Sequence, residues 1–286
     1  MLSNPGYTFF NKIVYDSKKV VIKVKIYHNI IQEFNLYIYD MNNHELKDVY
    51  LKYKALIRAR LFKYTKKAYM MLPEMVNPLI LDIGCGSGVP TLELVKLSGG
   101  HVVAIDINQN LLNDFKRNIN ESEFEKKLDI IVGTMLDLPF KKSSFDIIWC
   151  ERSIASIDFQ TGLTVWREYL KDGRFLILHD DNINVDNKIM LIENNGYKLL
   201  NTFTLSHDVW WYDYYKPLER IIDDFGSKTE NIDHTEMNKD QREILMFKKN
   251  PDKFRSIFFV MQKPGPEADA GQSSTEQIAA TAEKSK

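Results

Sequence analysis

The sequence has little of what secreted and membrane proteins need. It contains two cysteines in 286 residues, which excludes a disulfide-rich scaffold and indicates a reducing cytoplasm. No apolar run reaches the roughly 18 residues of a membrane span, and the first residues show no signal-peptide pattern. We therefore expect a cytoplasmic protein with no membrane-spanning segment.

An excess of either charge is also absent. The formal net charge is −1 at pH 7, and paired lysines such as Lys126-Lys127 and Lys141-Lys142 are scattered along the chain. This balance gives no support to a nucleic-acid or membrane partner, because nucleic acids and anionic membranes bind proteins with strongly positive surfaces. With 44% hydrophobic residues, a chain of this length can bury a sizeable core.

A glycine-rich turn follows the first strongly apolar segment. Residues 76–83 predict a buried strand that contains Asp82, and Gly84, Gly86 and Gly88 come at every second position after it. Glycine permits a tight turn and removes the side chains that would keep the backbone away from a ligand. Residues 90–97 then place apolar residues at helical spacing. A strand, a glycine-rich turn and a helix together predict a nucleotide-binding unit.

A second apolar strand, residues 102–105, ends in Asp106. This lies close to the distance downstream of the glycines at which a ribose-binding acid is expected. A carboxylate there can accept hydrogen bonds from both ribose hydroxyls. Asp106 also suits the N-cap of the next helix, and both roles stay open. Further strands are predicted at 128–132, 145–150 and 174–178, with a helix around 163–170 and a turn at 171–173.

This series of motifs resembles the class I S-adenosylmethionine-dependent methyltransferases over about residues 76–181. The broader resemblance is to the ubiquinone and menaquinone biosynthesis type (methyltransferase type 11), which acts on small molecules. The resemblance implies an α/β fold: a Rossmann-like, seven-stranded, mostly parallel sheet with helices on both faces, an antiparallel last strand and a helical insertion before it. It also implies S-adenosyl-L-methionine as the cofactor, bound by Asp82, Gly84, Cys85, Gly86, Gly88, Asp106, Ile107, Thr134, Met135 and Glu151. Thr134 is a departure, because an acidic residue often meets the adenine amino group at that position.

An aromatic cluster marks the predicted acceptor side. Residues 210–219 resemble a W-W-x-x-Y-Y-x-P-L-E element of bacterial and archaeal small-molecule methyltransferases, and five aromatics within six positions cannot all face one core on a helix. An aromatic pocket suits a flat or apolar acceptor, and core packing is the alternative. The substrate-pocket candidates are Arg152, Trp211, Tyr214 and Tyr215.

Glu151 and His179 are the candidate catalytic bases, because each follows or ends a predicted strand. A cap or loop role is the alternative for both. His179-Asp180-Asp181 lacks a usual ligand spacing, so no metal is predicted. Cys85 and Cys150 end neighbouring strands and are either a thiol pair beside the cofactor or small buried residues.

The chain divides into three predicted regions. Residues 1–45 form an N-terminal extension, read as a strand, a hairpin or a strand plus helix. Residues 46–263 form the methyltransferase domain, with the helical insertion at about 206–250, and residues 264–286 form a disordered tail.

The function that follows is methyl transfer to a small-molecule acceptor, and three alternatives remain. They are a non-catalytic cofactor-binding protein on the same fold, a protein methyltransferase and an NAD-dependent oxidoreductase. The last is disfavoured because Gly88 falls one residue early for the third glycine of the dinucleotide pattern. The sequence leaves the oligomeric state open.

Overall fold

The computed structural model describes residues 43–119, 124–226 and 235–266, together with two short strands near the N-terminus. These are β1 (Ile26–Tyr27) and β2 (Ile30–Ile31), which pair antiparallel. Most predictions for residues 1–42, and those for the tail beyond residue 266, lie outside the described residues. No helix in the described ranges combines the length and the apolar character that crossing a bilayer demands.

A seven-stranded sheet forms the centre of the fold, in the order β5-β4-β3-β6-β7-β9-β8. Neighbours from β5 to β7 are parallel, and β9 runs antiparallel to both β7 and β8. The predicted Rossmann-like sheet with an antiparallel last strand is therefore confirmed. The strands are β3 (Leu79–Ile83), β4 (His101–Asp106), β5 (Leu128–Val132), β6 (Phe145–Glu151), β7 (Leu170–Asp181), β8 (Lys198–Leu205) and β9 (Ser256–Gln262).

Helices cover both faces of the sheet, which explains why its central strands are nearly continuous apolar runs. Side chains of the first four helices join one core cluster, and those of the next two join the other. The strand β6 shows the result, since every residue from Phe145 to Cys150 is buried. The six helices are α1 (Asn43–Ala59), α2 (Phe62–Tyr69), α3 (Val89–Ser98), α4 (Gln109–Ile119), α5 (Phe159–Arg167) and α6 (Val185–Asn194).

A helical insertion connects β8 to β9. It consists of α7 (His207–Trp210), a π-helix (Trp211–Tyr215), α8 (Lys216–Gly226) and α9 (Thr235–Lys249). Most of its buried apolar side chains pack in the same core cluster as α1, on the face of the sheet opposite α5 and α6. The insertion therefore forms a wall near the end of β7.

Two local predictions around α5 were wrong. The helix begins at Phe159, four residues before the predicted start, because the Asp158 side chain caps it by accepting a hydrogen bond from the Thr161 backbone N–H (3.0 Å). The predicted turn at 171–173 lies inside β7. Gly173 has a φ of +73°, and it lies at an irregularity in the pairing of β7 with β6. The strand continues through this irregularity and does not end in a turn.

Candidate functional site

Four parallel strands bring their carboxyl ends to one edge of the sheet. The glycine-rich turn follows Ile83 of β3, Asp106 ends β4, and Glu151 of β6 pairs in register with His179 of β7. Ligands of open α/β sheets bind at this edge. The structure therefore brings together predicted site residues from four separate segments of the sequence.

The three positions of the turn are occupied by glycine for different structural reasons. Gly84, Gly86 and Gly88 all have positive φ, at +71°, +56° and +78°. A Cβ atom on Gly84 would overlap Ser153, and one on Gly88 would overlap the ring of Phe115. A Cβ atom on Gly86 would meet only a Leu111 methyl group at 4.0 Å. Gly86 therefore leaves the space in front of the turn open, as a cofactor-binding turn requires.

The carboxylate of Asp106 fixes the turn against the next strand. Its Oδ2 accepts a hydrogen bond from the Gly86 backbone N–H, and its Oδ1 accepts one from the Asn108 N–H, both at 2.8 Å. Each oxygen retains a lone pair for a further donor. The helix cap is Asn108, whose Oδ1 accepts from the backbone N–H groups of Asn110 and Leu111. The alternative role of Asp106 as the N-cap is therefore wrong.

Apolar side chains lie exposed around this turn. Ile107, next to Asp106, is 75% exposed, and Leu111 and Leu136 are 38% and 48% exposed. Met135 is half-buried, with its terminal methyl 3.8 Å from where a Cβ on Gly84 would lie. The half-buried Thr134 accepts a hydrogen bond from the Leu136 N–H at 3.3 Å, which leaves its hydroxyl hydrogen available to a ligand.

Asp82 and the two cysteines are buried beneath the turn. The Asp82 carboxylate accepts a hydrogen bond from the Thr91 hydroxyl at 2.6 Å and so ties β3 to α3. Burial raises the pKa of Asp82 to about 7. Burial also raises the pKa of the Cys85 thiol, and that of Cys150 to about 12. Both cysteines are free and buried, which matches the packing alternative and not a reactive thiol pair.

Glu151 and His179 form a polar group between the sheet and the insertion. Glu151 Oε1 accepts hydrogen bonds from the Thr65 hydroxyl and the Trp149 indole N–H, both at 2.8 Å. Its Oε2 lies 3.9 Å from His179 Nδ1, which is too long for a hydrogen bond. His179 is buried, and its Nδ1 has no hydrogen-bond partner. Burial lowers the pKa of His179, although Glu151 opposes this, so the ring is neutral at neutral pH.

The other nitrogen of His179 contacts Ser256 at the start of β9. Ser256 Oγ lies 2.8 Å from His179 Nε2 and 3.0 Å from the indole nitrogen of Trp210. Since an indole N–H can only donate, the serine oxygen accepts from Trp210, and its own hydrogen can go to Nε2. In that tautomer His179 carries its hydrogen on Nδ1, facing the Glu151 carboxylate. The imidazole also stacks on Phe258 with ring centroids 4.0 Å apart.

Arg152 follows Glu151 with an unusual backbone conformation. Its φ is +61°, a left-handed value that is uncommon for a residue with a side chain, and its N–H donates to the His179 carbonyl at 2.8 Å. The guanidinium lies 4.5 Å from the centroid of the Trp210 ring, in cation–π contact. Arg152 therefore lies above Trp210 at the mouth of the site.

The π-helix decides which aromatic residues reach this site. Tyr214 is buried and packs edge-on against Trp210 at 6.1 Å. Trp211 stacks on Phe247 of α9 (5.7 Å) instead, and Tyr215 donates its hydroxyl to Glu243. Arg152, Tyr214 and Tyr215 are thus all placed around the Trp210 ring, whereas Trp211 packs on α9 within the insertion.

Sequence reasoning missed Trp210, Ser256 and Thr65. The cluster containing Trp210 was visible, but a π-helix changes which of its side chains face inward, and helical spacing does not reveal it. Ser256 and Thr65 carried no local signal, since their partners lie far away along the chain.

The acidic residues after His179 face another direction. Asp180 and Asp181 pair with Lys188 of α6, at 2.6 and 2.7 Å. Across the described ranges, no group of three or more histidine, cysteine or acidic side chains is arranged to hold a metal ion.

Part of this chain is similar to known methyltransferases. Residues 80–173 match a family model described as a methyltransferase domain. The demethylmenaquinone methyltransferase of Symbiobacterium thermophilum is 32% identical over 104 residues, which are 35% of this chain and 41% of that protein. The chain spans about half the length of the curated relatives that it matches.

Solved structures share the fold at low sequence identity. The [4+2]-cyclase SpnF superposes with a TM-score of 0.61 at 13% identity, covering 71% of this chain and 82% of that one. Geranyl diphosphate C-methyltransferase from Streptomyces coelicolor, solved with S-adenosyl-L-homocysteine, gives a TM-score of 0.54 at 13% identity and covers 70% and 78%. At this identity the likeness shows the fold alone.

Proposed function

We propose that this chain, whose residues 80–173 match a methyltransferase domain model, is a class I S-adenosylmethionine-dependent methyltransferase that transfers a methyl group to a small-molecule acceptor. The domain match and the small-molecule methyltransferases among its relatives support this proposal. The activities of those relatives belong to those proteins, and the acceptor of this chain has to be argued from its own residues.

One observation carries the proposal: Gly86 keeps open space clear beside the Asp106 carboxylate. A nucleoside needs a backbone that a ligand can approach, an acceptor for its hydroxyls and an apolar surface for its base. Gly86, Asp106 and the exposed Ile107 supply these three features side by side. S-adenosylmethionine, when bound, supplies an electrophilic methyl group.

The residues of the chain then have distinct roles toward that cofactor. Asp106 holds the ribose hydroxyls with the lone pairs that its two backbone hydrogen bonds leave free. Ile107 and Met135 cover the adenine ring, and Thr134 donates its hydroxyl to an adenine nitrogen. Asp82 acts through the turn, because its carboxylate is buried and bonded to Thr91.

In this proposal Glu151 takes up the proton when the methyl acceptor is one that loses a proton on methylation. Its Oε2 is free of the hydrogen bonds that hold Oε1. His179 is a positioning residue: its Nδ1 is buried, so it acts by facing Glu151 and not by touching an acceptor. Methyl transfer otherwise depends mainly on placing the two reactants in line.

A second function is favoured by one comparison. The [4+2]-cyclase SpnF shares this fold, so the architecture also occurs in a protein named for a different reaction. In this second function the chain binds the cofactor without transferring its methyl group. Cofactor binding alone does not separate the two functions, whereas transfer does.

The first test is calorimetric titration with S-adenosylhomocysteine, with NAD and NADP as comparison ligands. We expect micromolar binding of S-adenosylhomocysteine and not of the dinucleotides, because Gly88 falls one residue early for the third glycine of the dinucleotide pattern. Asp106→Ala should abolish binding. Asp129→Ala, which removes a carboxylate exposed on the neighbouring strand β5, is the matched control and should retain it.

The second test is transfer of an isotopically labelled methyl group to a panel of small aromatic and apolar acceptors. A labelled product with the intact protein, and none with Asp106→Ala, supports methyl transfer. Binding of S-adenosylhomocysteine without transfer to any acceptor favours the non-transferring alternative. Preference for NAD would refute the cofactor assignment and with it the proposed reaction.

A further inference from the structure

The acceptor side of the site carries positive charge that its described neighbours do not neutralise. Arg152 makes no ion pair with any carboxylate in the described ranges. Two lysines of α1 and α2 are paired, Lys54 with Asp240 at 2.7 Å and Lys63 with Asp213 at 2.8 Å. The nearby carboxylates Asp240 and Asp213 are therefore engaged, and the charge of Arg152 is left without an ion-pair partner among the described residues.

Arg152 lies close to the buried Tyr214, because its guanidinium is 4.5 Å from the centroid of the Trp210 ring and Tyr214 packs edge-on against that ring at 6.1 Å. Burial raises the pKa of Tyr214 to about 12, and positive charge, including that of Arg152, opposes this rise. Glu243 and Asp240 also act on Tyr214 and raise its pKa further. Those two carboxylates are already engaged, Glu243 by the Tyr215 hydroxyl and Asp240 by Tyr50 and Lys54.

The hydroxyl of Tyr214 has no hydrogen-bond partner among the described residues, although the residue is only 7% exposed. The neighbouring Tyr215 shows the usual arrangement, since its hydroxyl donates to Glu243 at 2.8 Å. The Tyr214 oxygen is not one of the solvent-inaccessible side-chain atoms that lack a partner, so its hydroxyl reaches accessible space. Tyr214 thus presents a free donor close to the unpaired Arg152, since both contact the Trp210 ring.

The backbone of Arg152 points to the same use. Left-handed φ costs a non-glycine residue about 1 kcal/mol or more, and such outliers are concentrated at ligand sites. Here the hydrogen bond to the His179 carbonyl fixes the residue so that its guanidinium lies over Trp210.

We propose that the acceptor carries an anionic group, a carboxylate or a phosphate, which Arg152 and the Tyr214 hydroxyl bind, with Trp210 beside its apolar part. Guanidinium groups bind both anions through strong charge-assisted hydrogen bonds. This inference rests on the proposed function and names the class of its acceptor.

The test uses three one-ring probes, benzoate, phenyl phosphate and the uncharged benzamide, titrated into protein saturated with S-adenosylhomocysteine at constant ionic strength. We expect one of the anions to bind with a Kd below about 1 mM and at least tenfold more tightly than benzamide. The preferred anion distinguishes a carboxylate from a phosphate acceptor.

Substitutions then locate the site. Arg152→Gln and Tyr214→Phe should each weaken anion binding about tenfold. Arg117→Gln removes the same charge as Arg152→Gln from an exposed residue of α4 and should leave the affinity within about twofold. Arg152→Gly tests the same loss with a residue that tolerates the left-handed backbone, in case the glutamine variant does not fold.

The inference is overturned if benzamide binds as tightly as the anions, if neither anion binds, or if folded Arg152 variants retain the anion affinity. The S-adenosylhomocysteine titration of the same samples reports on the proposed function separately. If S-adenosylhomocysteine fails to bind, the proposed function is refuted. The anion titrations are then carried out on the protein without this ligand and judged by the same criteria.

Discussion

The glycine-rich turn provides a prediction in which three similar substitutions have different outcomes. Gly84, Gly86 and Gly88 all have left-handed φ, so alanine at each costs about 1–2 kcal/mol of folding free energy. At Gly88 the new Cβ also overlaps the Phe115 ring, and at Gly84 it overlaps Ser153. Overpacking of this kind adds about 1–3 kcal/mol. At Gly86 the Cβ projects into open space, so no such cost is added.

We therefore expect Gly86→Ala to fold with a loss of about 1–2 kcal/mol and to bind S-adenosylhomocysteine at least tenfold more weakly, because its methyl group enters the cofactor space. Gly88→Ala should lose about 2–5 kcal/mol from the added terms. Urea denaturation measures the stability, and calorimetry measures the affinity.

Gly99→Ala is the matched control for Gly86→Ala. Gly99 has a φ of +61° and nothing within 4 Å of its would-be Cβ, but it ends α3 away from the site. It should lose the same stability and keep full affinity. The reasoning is refuted if Gly86→Ala binds as tightly as Gly99→Ala, or if it is destabilised as much as Gly88→Ala.

Three further predictions concern carboxylates. Asp106→Asn should weaken S-adenosylhomocysteine binding by about tenfold or more and cost about 1–3 kcal/mol of stability, since its NH2 group cannot accept one of the two backbone N–H hydrogen bonds that the carboxylate accepts; unchanged calorimetric affinity of the folded variant would remove the ribose role. Because the folded pKa of Asp82 is raised to about 7, its unfolded form loses the proton first, so stability should fall by up to about 4 kcal/mol as pH rises from 4 to 7. Asp82→Asn keeps an acceptor for Thr91 and should flatten that part of the urea-denaturation profile; parallel profiles would contradict the raised pKa. With an acceptor from the methyl-transfer screen, Glu151→Gln should lower kcat by about a hundredfold with S-adenosylhomocysteine affinity nearly unchanged; an equal loss of affinity would instead make Glu151 a cofactor contact.

The sheet and the cofactor side of the site were predictable because their signals are local. The glycines and Asp106 lie with their strands β3 and β4 inside residues 79–106, and alternation of strand and helix fixes which strand ends meet. The cap was assigned less well. Asp106 and Asn108 both precede α4, and only the backbone conformation decides that Asn108 receives the helical N–H groups.

The acceptor side could not be predicted in the same way, because its contacts join distant segments. His179 meets Ser256, 77 residues away, and Thr65 meets Glu151, 86 residues away. No spacing rule connects such pairs. The π-helix adds a second difficulty, because its wider turn places Tyr214 beside Trp210 while Trp211 packs on Phe247.

The position of β9 has a consequence for the order of assembly. The strand β9 comes last in the sequence but lies between β7 and β8 in the sheet. Until residues 256–262 are in place, β8 therefore has no partner strand and β7 has an open edge. Its side chains alternate between the two cores: Phe258 and Val260 join one, and Ile257, Phe259 and Met261 join the other. Neither face can finish packing during synthesis before this strand emerges. Ser256 begins the same strand, so the hydrogen bond from the Trp210 indole of the insertion cannot form until this strand is in place.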